Sequence, residues 1–129
     1  MMDEAVDERL RGDTALAALV SDRIYPDVIP QLVVYPVIIY HQVSEAASYS
    51  HDGDSNLDTS RYQFDCYGST KVSARTVKDA LRTLLSGKRF EASNVRVASC
   101  RLDNSLSGYE PAFKAWRYIQ DYVFQYQVL

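Results

Sequence analysis

The sequence predicts an α+β fold, an antiparallel or mixed β-sheet with two main helices packed on one face, and three stretches carry that expectation. Residues 71–86 place Ala74, Val77, Ala80, Leu81, Leu84 and Leu85 on one helical stripe. Residues 32–43 form a β-branched and aromatic run. The last segment, 113–128, alternates large aromatics with polar and aliphatic residues, as a strand does.

The elements follow in chain order. From Asp3 to Val20, apolar residues recur at an imperfect helical period that Gly12 divides, and Asp13 can cap the second piece by accepting free backbone N–H groups. Arg23 to Pro26 reads as a short extended segment closed by proline. A strand is expected over 32–43, with Pro36 near its start. From Ser44 to Ser60 the chain is polar, which predicts a long hairpin loop with its tip around His51 to Asp58. Arg61 to Cys66 alternates, with Tyr62, Phe64 and Cys66 inward and Arg61, Gln63 and Asp65 on a wet or shared face.

Ser69 or Thr70 can cap the clear helix, and Gly87 stops it. A strand over 95–102 should put Val95, Val97, Ser99 and Arg101 on one side, and 104–111 reads as a second polar loop. In the final strand Trp116, Tyr118, Tyr122, Phe124 and Tyr126 share a side. Such a strand would be about 45 Å long, so part of it is expected to project beyond its own sheet.

With 129 residues the chain fits one domain, 1–129. Its 47% hydrophobic and 24% charged content is that of a folding, soluble chain. Its longest apolar run, 29–40, is broken by Pro30, Gln31 and Pro36, far from a membrane span, and the acidic N-terminus is unlike a signal peptide. A net charge of −3 argues against a general polyanion binder. Cys66 and Cys100 lack ligand spacing and read as reduced core residues.

The inventory for catalysis is thin. His41 and His51 are the only histidines, one in a strand and one at a loop tip, and no glycine-rich phosphate loop exists. Asp52, Asp54, Asn56 and Asp58 alternate like the opening of a calcium loop, but Leu57 stands where the turn glycine belongs and Gln63 where the closing carboxylate belongs. No enzyme activity, metal or cofactor is expected. Lys71, Arg75, Lys78 and Arg82 line one side of the main helix, extended by Lys88 and Arg89; this row is a solvated face or a contact for acidic residues such as Asp3, Glu4, Asp7 and Glu8. Ten tyrosines suit either a sheet core or an interface.

Four stretches carry a family resemblance: Asp13 to Val20 followed by Asp22-Arg-Ile-Tyr-Pro; Tyr35-Pro-Val-Ile-Ile-Tyr with Val43-Ser44; Arg61 to Tyr67; and Tyr109-Glu-Pro before the terminal strand. In this order and spacing the chain resembles the tail completion, or tail terminator, proteins of long-tailed bacteriophages, prophages and gene transfer agents. The resemblance implies a structural virion protein of the tail or neck, assembled in the host cytoplasm. It would form a ring, a homohexamer, that caps the tail tube, ends its polymerisation and meets the head-side connector, with the genome passing through and no membrane or specific nucleic-acid partner.

On that reading Arg61, Asp65, Lys71, Arg75, Lys78 and Arg82 are candidate subunit contacts. His51, Asp52, Asp54, Asp58, Asn104, Tyr109 and Glu110 are candidate contacts to tube or connector. The alternatives are a neck or head-closure role in the same virion, a host α+β module binding a ligand or nucleic acid, and a hydrolase using His41.

Overall fold

Two short helices and one long one lie against a six-stranded sheet. The computed structural model describes residues 2–50 and 53–129, with the side chains of 48–50 and 53–56 left undescribed. The order is α1 (Met2–Arg11), α2 (Thr14–Val20), β1 (Ile24–Pro26), β2 (Val37–Ser50), β3 (Gly53–Gly68), α3 (Lys71–Leu85), β4 (Phe90–Ala92), β5 (Val95–Glu110) and β6 (Ala115–Val128).

Local chemistry sets the helix boundaries. The Asp13 carboxylate accepts from the Leu16 N–H at 3.0 Å, so α2 starts where the sequence places its cap. Thr70 caps α3 through the Ser73 N–H at 3.1 Å. Gly87 ends that helix at φ +73°, a conformation cheap only for glycine, and its N–H reaches the Cys100 carbonyl at 2.7 Å.

The strands run in the order β1-β2-β3-β6-β5-β4, with every neighbour antiparallel except the β1–β2 pair. The sheet is therefore mixed. Helix α1 touches both β1 and β4, the two edge strands, so the sheet curls around the helical layer. Inside the curl, Tyr62, Phe64, Tyr122, Phe124 and Tyr126 are buried together with Leu10, Leu16, Val77, Leu81 and Leu85. Phe64 and Tyr122 meet edge to face at 5.6 Å, as do Tyr62 and Phe124 at 5.7 Å. The terminal aromatics thus lie beneath this chain's own helices.

Several expectations are corrected. The strand of the 32–43 run begins only at Val37, while segment 27–36 crosses the opposite sheet face. There Ile29, Val33 and Tyr35 cover a second buried cluster of Val37, Ile39, Tyr67 and Ala115, so that face is not uniformly wet. The described residues of the polar stretch, 44–50 and 53–60, are not a loop: β2 and β3 continue through them as a paired ribbon, register Ser44↔Arg61 to Ser50↔Gly53, and residues 53–57 extend past any β6 partner. Nor is 104–111 a loop, because Asn104 to Glu110 pairs with β6 and only the 111–114 turn follows.

Strand β6 does not project. It is central, bonded along its length to β5 and over Trp116–Tyr126 to β3. In β5, Ala98 and Asp103 stand opposite no residue of β6, and the first bulge reverses the alternation: Val95 and Val97 face the helices, then Cys100 and Leu102 do, while Ser99 and Arg101 turn away.

Gly68 sets how closely α3 approaches the sheet. A Cβ there would lie 2.6 Å from the Ala74 backbone nitrogen and 3.1 Å from Ala74 Cα, atoms that cannot move without shifting the helix. Gly68→Ala is expected to lose about 1–3 kcal/mol, read as a lower midpoint in urea unfolding. An unchanged midpoint would mean α3 slides freely.

Candidate assembly surfaces

No described group of three or more His, Cys, Asp or Glu residues could hold a metal ion, and no described helix is long and apolar enough to cross a membrane. Cys66 and Cys100 are free and buried. Burial pushes both thiols up, Cys100 to about 12, so neither is an available thiolate near neutral pH. Three surfaces carry the charged residues singled out as contact candidates.

The first is the sheet face away from the helices. Arg61 of β3 spans its neighbours, Nη1 lying 2.5 Å from Asp103 Oδ2 and Nη2 3.1 Å from Asp121 Oδ2. Hydrogen bonds from Arg61 and then Arg101 hold the Asp103 carboxyl below the usual carboxylate range. Asp65 is buried and accepts from Arg117 Nη2 at 3.2 Å and Gln63 Nε2 at 3.2 Å, and Arg117 Nη1 is also 3.7 Å from Glu110 Oε2. Register brings these positions of β3, β5 and β6 together, so Arg61 and Asp65 are anchored within their own chain.

The second surface is α3. Lys71 Nζ sits 5.6 Å from the Trp116 ring centre and Lys78 Nζ 5.1 Å from that of Tyr118, so two members of the basic row rest on aromatic faces of β6. Lys78 also pairs with Asp79 at 2.9 Å. Arg75, Arg82, Lys88 and Arg89 are exposed.

The third is α1, whose acidic residues are partly committed. Tyr62 donates its hydroxyl to Asp3, Tyr40 donates to Asp7 at 3.1 Å, and Ser93 donates to Glu8 at 2.7 Å. Asp3, Glu4, Asp7 and Glu8, with Arg11, Tyr40 and Pro26, border an open groove of about 740 Å³. Sequence reasoning missed these straps because nothing local pairs a tyrosine of one strand with a carboxylate some thirty or sixty residues earlier.

Of the expected tube or connector contacts, His51 and Asp52 lie outside the described residues, and Asp54 falls in β3 with its side chain undescribed. Asp58 is half-buried opposite Tyr126. Asn104, midway along the sheet, and Tyr109, at its far end, are exposed, and Glu110 is half-buried. The Tyr109 ring meets Trp116 at 5.2 Å, and Glu110 Oε1 accepts from the Ala112 N–H at 3.2 Å. The described residues 53–58 and Tyr109–Glu110 therefore do not converge on one surface: they stand at opposite ends of the strands, with Asn104 midway between.

A family model described as tail completion protein gp17 matches residues 4–127. The chain belongs to that family. The family is one of structural virion proteins and not of enzymes, so the chain is a tail component of a phage-like virion. Among solved structures it is similar to a chain of one titled "Virion of native gene transfer agent (GTA) particle", with a TM-score of 0.76 at 17% identity, covering 95% of this chain and 92% of that one. That likeness supports the α+β architecture. No curated protein matches in sequence.

Proposed function

We propose that copies of this tail completion protein close into a homohexameric ring that caps the tail tube, stops its growth and presents its other side to the head connector. The observation that carries the reading is the separation of opposite charges: exposed Arg75, Arg82, Lys88 and Arg89 on or just after α3, and acidic Asp3, Glu4, Asp7 and Glu8 on α1. A heterologous contact uses two different patches of each copy and closes when its rotation divides the circle. Opposite charge on those patches favours head-to-tail docking over face-to-face pairing. Arg61 and Asp65, pinned in the ionic lattice, supply a rigid wall beside that contact rather than free charges. The two ends of the strands, with residues 53–58 at one and Tyr109 and Glu110 at the other, serve as the axial faces.

Reversing the exposed charges tests this. Arg75→Glu with Arg82→Glu leaves the rings on Trp116 and Tyr118 untouched and is expected to weaken ring formation at least about tenfold, or about 1.4 kcal/mol per contact. Light scattering coupled to size exclusion reads it, with circular dichroism confirming the fold. Unchanged assembly would return the row to a solvated face. Co-purification of the wild-type ring with tube protein, with connector protein or with both separates tube capping from a head-closure role.

A further inference from the structure

We infer that the outer edge of β5 from Asn104 to Glu110 is a strand-docking site whose occupant is β2 of a second copy of this chain; the inference rests on the ring reading above and names its contact. Strand β4 covers β5 only at Val95–Val97. Over the next six residues the edge is blocked or broken: Ala98 is a bulge, the Cys100 carbonyl is taken by the Gly87 N–H at 2.7 Å, and Asp103 is a second bulge. From Asn104 the character changes. Pairing with β6 runs unbroken from Asn104↔Asp121 to Glu110↔Ala115, and residues 104–109 are exposed.

Natural sheets guard open edges with bulges, prolines, lysines or covering segments. Residues 104–110 contain no proline and no lysine, and Ser105, Ser107 and Gly108 leave room for a neighbouring backbone. Half of one edge is defended and half is left open, over about 23 Å of regular strand. An open edge of that length fits another extended backbone, which satisfies its alternate N–H and C=O groups.

The same chain offers the matching edge. On the other side of the sheet β1 covers β2 only at Ile38–Tyr40, and from His41 onward the described part of β2 pairs with β3 alone. Within the sheet β2 is antiparallel to β3, β3 to β6 and β6 to β5, so β2 and β5 run in opposite senses. Register sets His41 level with Asn104 through Gln63 and Asp121, and from there the two open stretches run toward opposite ends of the sheet. They meet when the strands tilt to the rotation axis and stagger the next copy by about 20 Å, with its β2 antiparallel to β5. That is the geometry of an uninterrupted antiparallel ladder, and it needs no crossover.

Hydrogen exchange on the wild-type chain, diluted to monomer and concentrated to ring, tests the inference. Alternate amides within 104–110 are expected to slow by about tenfold or more on assembly. Rings whose 104–110 amides exchange as in the monomer overturn it, as does protection that appears only on adding tail-tube protein, since the occupant would then be foreign. A chain that stays monomeric at every concentration overturns the ring reading with it. Leu106→Pro and Ser107→Pro provide a second arm. One of two adjacent N–H groups faces β6 and the other faces outward, so one variant is expected to lose thermal stability while the other stays folded and elutes as monomer. Two folded variants that still form rings overturn the docking site alone.

Discussion

Phe64→Ala is expected to lower stability by about 3–5 kcal/mol, the range for emptying a buried phenylalanine site. The ring is fully buried at the centre of the curl, with Tyr40 and Tyr62 each at 6.4 Å and Tyr122 at 5.6 Å between ring centres. Those three neighbours are themselves buried in strands β2, β3 and β6. Collapse into the space would require moving a strand whose other face carries the ionic lattice, so little relaxation is available. Whole-domain stabilities are about 5–15 kcal/mol, which makes this loss a large share. Urea unfolding measures it. A loss under about 1 kcal/mol would show that the aromatic cluster repacks like a liquid.

Alkali should unfold the protein in one cooperative step. Burial is the main cause that raises Tyr40, Tyr62, Tyr67, Tyr122 and Tyr126 above an ordinary phenol; Tyr67 and Tyr126 are pushed up to about 12 and the other three further in the same direction. Neighbouring carboxylates add to this, Asp7 beside Tyr40, Asp3 beside Tyr62 and Glu45 beside Tyr126. A raised folded-state value means the contribution to stability is complete below the unfolded phenol value of about 10 and is lost as pH rises toward the folded one. Each such group removes at most about 1.4 kcal/mol per pH unit in that window, so five acting together can consume the stability of a small domain within about one unit above pH 10. Tyrosinate absorbance and circular dichroism should change together near about pH 11. A gradual absorbance rise with the dichroism intact would show that these hydroxyls ionise in place.

Neither result depends on the elements the sequence hides. Helices were legible because their signals are local: Asp13 and Thr70 cap by bonding three residues ahead, and Gly87 ends α3 through its own φ. The buried side of β3 and of β6 was legible from alternation alone. The ribbon of residues 44–50 and 53–60 and the strand 104–110 were not, because side-chain polarity reports which groups meet water and says little about backbone pairing when both faces of a strand are exposed. Bulges at Val43, Ala98 and Asp103 compound this by resetting the period of two that such a reading relies on. Among candidate contacts, Arg61 and Asp65 were rightly placed off the core face, yet their partners Asp103, Asp121 and Arg117 become visible only once the register of three strands is known. The cover over Val37 and Tyr67 by segment 27–36 has no local signature at all.

The straps of α1 also govern when the protein can act. Its residues are made before their partners, but Glu8 closes on Ser93, Arg9 reaches the Leu84 carbonyl at 3.2 Å and the Phe90 ring at 4.6 Å, and Asp3 waits for Tyr62. The sheet those partners belong to is completed by the final strand. Contacts of such sequence separation form late and only with the whole chain present. A truncated or half-synthesised copy therefore lacks both the seated acidic helix and the paired β5 edge, so under the proposed ring reading only a finished chain joins the assembly.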